Sequence, residues 1–269
     1  MADETGSPAQ QFRTGIPHSA RVWNYWLGGE DNYAADRAAG DKVAQVFPDI
    51  VTVARTTRMF LGRAVRYLAG EAGVRQFLDI GTGLPTVDNT HEVAQRVAPD
   101  SRVVYVDNDP LVLAHTRVLL TCTPEGKTAY VDADMHEPAA IFEAASDTLD
   151  LHRPVALILC GVLGHVADHD EALGIARRLM QGLPAGSHLV LSDGVNSDES
   201  AVQSMDRYAQ SGGVPYHLRK PDQIAGFFEG LELVEPGVVP RNEWRPDTQE
   251  PREQGSEARF GLCGVGRKP

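Results

Sequence analysis

The sequence predicts an α/β fold, a doubly wound and mostly parallel sheet with helices on both faces, and three observations predict it. From residue 74 onward, short runs that are apolar throughout alternate with stretches of helical spacing. Such runs belong to strands buried on both faces, the situation of a parallel sheet between helical layers. The stretch Gln76-Phe77-Leu78-Asp79-Ile80-Gly81-Thr82-Gly83-Leu84-Pro85 carries one of these runs into a turn with glycines at alternate positions. Glycine permits positive φ there and leaves no Cβ in a ligand's way. Finally, apolar runs at 231–239 and 258–265 read as an antiparallel pair ending the sheet, joined by an exposed loop rich in Pro, Arg and Glu.

In chain order, residues 1–15 are small and polar and read as a disordered tail. Val22, Trp23, Trp26 and Leu27 have helical spacing, with Ser19 as N-cap and Gly28-Gly29 as the stop. A second helix is expected from about residue 31 and a third over 50–69, with Val53, Phe60, Ala64 and Leu68 along its apolar face. Residues 16–72 therefore form an N-terminal helical lid or cap, and 73–269 the α/β core. Strand one covers 76–80, and a helix is expected from Pro85 or Thr86, since proline suits a first turn. Strand two covers 102–106 and ends in Asp107. Asp109-Pro110 then opens a helix, followed by strand three at 128–131, strand four at 155–160, a helix at 170–183, strand five at 188–191 and a helix at 221–228.

Composition narrows the function. The 269 residues, 42% hydrophobic and 23% charged, suit a globular domain with embellishments. Twenty-five basic against 37 acidic side chains give a net charge of −12, which repels phosphate backbones, so nucleic acid is not the expected partner. No run approaches the roughly 18 apolar residues of a membrane span, and the start lacks a signal-peptide pattern. Three widely spaced cysteines, with Cys160 in an apolar run, read as reduced thiols and point to the cytoplasm. No metal-ligand spacing stands out among the nine histidines.

The turn itself selects a ligand. An acid at the end of strand two, Asp107, falls near the offset at which such folds hold ribose hydroxyls. A dinucleotide fingerprint would place a third glycine at position 86, where Thr86 stands. Asp79, just before the turn, would face a pyrophosphate with like charge. Beside a cationic ligand carrying an amino group it fits well, which favours S-adenosyl-L-methionine over a nicotinamide dinucleotide.

These residues resemble a known family. Asp79-Ile80-Gly81-Thr82-Gly83 is similar to the D-x-G-x-G motif of class I S-adenosylmethionine-dependent methyltransferases, Asp107 to their ribose-binding acid, and Asp132-Ala133-Asp134-Met135 to their adenine-side acidic motif. Residues 20–33, ARVWNYWLGGEDNY, resemble the A-R-x-Y-x-Y-x-L-G-G-x-D-N-F box that opens a bacterial group with largely unassigned substrates. Trp23 and Tyr33 replace other aromatics there, and Asn24 stands where Asp is common. The resemblance implies a Rossmann-like, seven-stranded sheet with the last strand antiparallel. It implies S-adenosyl-L-methionine as cofactor, with Gly81 and Gly83 against the amino-acid portion, Asp107 on the ribose, Asp134 and Met135 by the adenine, Gly161 on the methyl side, and Asn108 also among the cofactor-binding residues. Asp132 competes with Asp134 for its role.

Trp23 and Trp26 read as core anchors, whereas Arg21, Gly28, Gly29, Asp31 and Asn32 read as ligand-facing parts of a lid, Asp31 pairing with the ligand's ammonium. His165, past strand four, is a candidate general base or a structural histidine. The expected activity is methyl transfer to a small-molecule O, N or C nucleophile; the alternatives are a non-catalytic binder of the same nucleotide and a dehydrogenase. Neither the oligomeric state nor the acceptor is legible in these motifs.

Overall fold

A computed structural model of the chain describes residues 14–86, 88–109, 112, 122–247 and 260–269. The expected tail, save its last two residues, and the helix expected after Asp109-Pro110, save Val112, lie outside them, as does most of the loop before the last strand. The elements run α1 (Ser19–Trp26), α2 (Ala34–Val46), α3 (Ile50–Gly70), β1 (Gln76–Ile80), α4 (Thr90–Val97), β2 (Arg102–Asp107), β3 (Lys127–Asp132), α5 (Pro138–Ala145), β4 (Ala156–Cys160), α6 (His169–Gln181), β5 (His188–Gly194), α7 (Glu199–Gln210), α8 (Pro221–Gly226), β6 (Glu232–Leu233), β7 (Val239–Pro240) and β8 (Gly261–Arg267).

The sheet order is β3-β2-β1-β4-β5-β8-β6, with β7 also paired to β8. β3, β2, β1, β4 and β5 are mutually parallel, and β8 runs antiparallel to β5. The sheet is Rossmann-like, but it has eight strands rather than seven. The extra one arises because the expected strand over 231–239 is divided at Pro236-Gly237 into the two-residue β6 and β7. Proline lacks the N–H a ladder needs, and Gly237 takes φ 92°.

The continuous apolar strands are sorted by their period of two. Leu78, Ile80, Val104, Val106, Leu157, Leu159, Leu189 and Leu191 face one side, packing with Ile141 of α5 and Ile175 and Leu179 of α6. Phe77, Val103, Tyr105, Ile158 and Val190 face the other, against Phe60, Ala64 and Leu68 of α3 and Val93 of α4. Fully buried Trp244 packs edge-on to Phe60, and the buried Arg63 guanidinium holds the Trp244 and Arg241 carbonyls at 2.9 and 2.6 Å.

The helical region of residues 16–72 thus comprises two parts. α3 covers a sheet face, while α1, α2 and the start of α3 form a separate cluster with Tyr208 of α7 and Phe260. No helix among the described residues is long and apolar enough to cross a membrane.

Candidate functional site

Strand order reverses at β1, whose neighbours β2 and β4 carry connections leaving in opposite directions. A crevice is expected outside the carboxyl ends of strands at such a point. A cavity of about 400 Å³ lies there, within the range of small-molecule sites. Asp79, Gly81 and Gly83 line it after β1, Asp107 and Asn108 after β2, Asp134 and Met135 after β3, and Gly161 and His165 after β4.

Each glycine is required by its backbone: Gly81, Gly83 and Gly161 take φ of 71°, 66° and 74°. A Cβ on Gly81 would also stand 2.4 Å from Val162 Cγ2. The turn is longer than its sequence suggests. α4 starts at Thr90, not near Pro85, because the Asn89 side chain accepts the Thr86 N–H at 3.0 Å and the Glu92 carboxylate accepts the Asn89 N–H at 2.8 Å. The helix N-terminus therefore meets β1 through a side chain: the Thr90 hydroxyl donates to Asp79 Oδ2 at 2.7 Å.

Asp79 lies on a buried strand, and burial lifts its carboxyl to about 6 against the partial relief of Thr90 and Arg58. Asp107 is also raised by burial, offset by N–H donation from Asp109 at 3.0 Å and Gly83 at 2.9 Å. At Asp134 the upward push of partial burial is outweighed by hydrogen bonds from His136 and Asn108, which hold the carboxyl below its ordinary range. Asp134 stands on the cavity wall, while exposed Asp132 is absent from that wall. Burial pushes the Cys160 thiol far upward, so it is no thiolate nucleophile at neutral pH.

His165 closes the 3₁₀ turn Leu163–His165. Its Nδ1 is 3.0 Å from the Pro215 carbonyl. A carbonyl only accepts, so Nδ1 carries the proton and Nε2 keeps its lone pair. Burial lowers the His165 pKa below the ordinary 6.5.

The opening box needs correction. Arg21, Gly28, Gly29, Asp31 and Asn32 are not among the residues that line the cavity. Arg21 is buried and bonds Asp36 at 3.2 Å and the Ile16 carbonyl at 2.6 Å. Asp36, completely buried, also accepts the His18 and Tyr33 N–H groups at 2.9 and 2.8 Å, tying together the starts of α1 and α2. Asn32 donates to Asn24 and to the Gly29 carbonyl at 2.9 and 2.8 Å. A Cβ at Gly29 would fall 2.3 Å from the Asn24 amide, and Gly28 ends α1 with φ 81°. Arg21, Gly28, Gly29 and Asn32 shape the cap's own turn. The cavity receives their neighbours on α1 instead, Ala20, Trp23 and Trp26 among them, together with His18 and Leu27 that flank the helix. His18 also reaches Asp109 beyond β2 at 3.0 Å.

A further wall comes from the stretch 195–218, which the sequence marks as a source of pocket residues without singling any of them out. Tyr216 lines the cavity, donates its hydroxyl to buried Asp193 at the end of β5, and stacks edge-on with His165 at 5.2 Å. Arg219 secures the same carboxylate at 3.3 Å and the Val166 carbonyl at 2.7 Å. An acid inside an apolar strand was the available signal, the same one that marked Asp79. Arg58, from α3, and Arg241 also reach the wall unannounced.

Two solved structures resemble this chain over nearly its whole length. A DUF574-family protein from Streptomyces avermitilis is 48% identical, with 96% of this chain and 100% of that one aligned at a TM-score of 0.92. A candidate methyltransferase from Thermobifida fusca is 39% identical, with 98% and 99% aligned at 0.86. An S-adenosylmethionine-dependent methyltransferase from Anabaena variabilis shares the fold at 10% identity and a TM-score of 0.50, over 75% of this chain and 80% of its own. No curated protein matches the chain. The family model described as S-adenosyl methyltransferase matches residues 5–269. With that match over a Rossmann-like sheet, the chain belongs to the S-adenosyl methyltransferase family and is an S-adenosyl-L-methionine-dependent methyltransferase.

Proposed function

We propose that the protein methylates a small-molecule O, N or C nucleophile within this cavity, as a cytoplasmic enzyme that does not act on nucleic acid. The carrying observation is the cavity's double character. Its strand-end walls offer carboxylates and left-handed glycines, and an apolar chamber under the cap continues from them. The strand-end residues fit the cofactor: Gly81 and Gly83 bring bare backbone to the amino-acid portion, Asp79 meets the ammonium, Asp107 and Asn108 the ribose, and Asp134 and Met135 the adenine, with Gly161 beside the methyl. S-adenosyl-L-methionine supplies an activated methyl on its sulfonium.

The chain has to align the acceptor and exclude water, which can account for most of the catalysis. α1 does the excluding, held down by His18 on Asp109, so the working lid is α1 with α2. Where the acceptor must lose a proton, His165 Nε2 accepts it, with the ring fixed by Pro215.

The test is calorimetric titration with S-adenosylhomocysteine combined with an acceptor screen for its release. The proposal expects micromolar-range binding that Asp107→Ala weakens at least about tenfold, roughly 1.4 kcal/mol, without loss of fold. Tight binding with no release across a broad small-molecule screen would favour a sensor, and binding of NAD alone would contradict the site altogether.

A further inference from the structure

Beyond the strand ends, the cavity runs beneath the cap, and we infer that the methyl acceptor is an uncharged, largely apolar, ring-bearing molecule seated there. The inference rests on the methyl-donor reading above, because it takes the strand-end walls as occupied by the cofactor. Trp23, Trp26, Phe47, Met205, Leu218 and Phe260 build the chamber, contributed by α1, the α2–α3 junction, α7 and the loops after it and before β8.

Most of the lining charge stands in the other half, and Arg241, whose guanidinium lies against Gly261 beside Phe260, is the charged group nearest the chamber among the described residues that line it. Asp79, Asp107 and Asp134 stand at strand ends. Arg58 interacts with Asp79, and Arg241 is drawn to the sheet by donating to the Ser192 hydroxyl at 2.7 Å. No charged lining residue comes from α1 or α7. An ion placed among the chamber's side chains would lose its hydration and meet a single neutral hydroxyl there among the described residues of α1 and α7 that are large enough to build the wall, that of Tyr208, which offsets only part of a cost of several kcal/mol.

The apolar side chains are also incompletely covered by protein. Trp23, Leu27, Met205 and Leu218 pack against the buried cap cluster yet remain only partly buried, and all four line the cavity. Large apolar groups facing a concave space mark a ligand surface. The aromatic rings meet edge to face, Trp23 with Trp26 at 5.7 Å and Phe47 with Phe260 at 4.3 Å. Such walls accept a further ring by stacking or by edge contact. Val214 lines the cavity and is 50% exposed, which puts it on the rim through which an acceptor passes.

The experiment is calorimetry on the full chain with three probes of one shape: naphthol, naphthoate and naphthylmethylammonium, each with and without saturating S-adenosylhomocysteine. Naphthol is expected to bind saturably and at least about tenfold more tightly than either ion. Met205→Glu is expected to weaken naphthol by at least about tenfold and to leave S-adenosylhomocysteine within about twofold. Val214→Glu, on the half-exposed rim, makes the same comparison if Met205→Glu does not fold, with a loss of several-fold for naphthol.

Ionic probes that bind as tightly as naphthol, no saturable naphthol binding, or naphthol binding indifferent to both substitutions would each overturn the inference. Loss of S-adenosylhomocysteine binding with naphthol binding intact would strike the methyl-donor reading instead.

Discussion

Asp79 shows what the site demands of a single residue. It occupies a strand position whose neighbours Leu78 and Ile80 are buried, and burial raises its carboxyl from 3.8 to about 6. The folded state thus holds a proton more tightly than the unfolded chain, so Asp79 lowers stability as pH rises from about 4 to about 6, and the loss is complete above that window. A ligand ammonium reverses the balance by favouring the ionised form. Affinity for S-adenosylhomocysteine is therefore expected to be flat above pH of about 6 and to fall roughly tenfold per unit below it. Asp79→Asn keeps an acceptor for Thr90 and should bind weakly with no such slope, while the ligand-free protein gains stability at neutral pH. A slope that persists in Asp79→Asn assigns the proton elsewhere. His165 makes a second prediction. Its lowered pKa keeps it neutral at pH 7, so for an acceptor that must lose a proton kcat should rise with pH to a midpoint below 6.5 and stay level above it. His165→Ala should remove that limb and reduce kcat by about 10²–10⁴.

The cap is where elements have to be held together by polar groups. Arg21 and Asp36 are both buried, and Asp36 binds the backbone at the starts of α1 and α2. Removing one partner leaves the other charge buried and unpaired, so Arg21→Ala is expected to cost about 3–5 kcal/mol in chemical unfolding. Because α1 lines the cavity, the same variant should also bind S-adenosylhomocysteine more weakly. Deleting residues 1–40 should cost cofactor affinity while circular dichroism shows the core still folded, since α3 and the sheet retain their two apolar layers. Unchanged affinity in the truncated protein would reject the lid.

Over the whole molecule, the legible features were those with a local signature. Strands buried on both faces are continuous apolar runs, and β1 begins and ends at the expected residues. The Asp79 turn, Asp107 and Asp134 sit at fixed offsets from those strands, so a linear reading located them. Contacts between distant residues were not legible. Asp193, Tyr216 and Arg219 converge across 23–26 positions of sequence, and Asp36 looks like an ordinary helical surface acid until α1 is folded onto it. Arg21 and Asn32 of the opening box look ligand-facing in the sequence because their partners, Asp36 and Asn24, are invisible to periodicity. The clash a Cβ at Gly29 would make with Asn24, and the Asn32 hydrogen bonds to Asn24 and the Gly29 carbonyl, show a turn that shapes itself. Ligand binding should register globally as well: at about 100 times its dissociation constant, S-adenosylhomocysteine adds roughly 2.7 kcal/mol and raises the Tm by several degrees. The most direct measurement is a crystal structure with S-adenosylhomocysteine bound. The account predicts ribose hydroxyls within about 3 Å of Asp107, the amino group beside Asp79, adenine next to Asp134 and Met135, and the thioether opening toward Trp23 and Met205. A ligand seated elsewhere, or one whose ribose leaves Asp107 bonded only to Gly83 and Asp109, would contradict it.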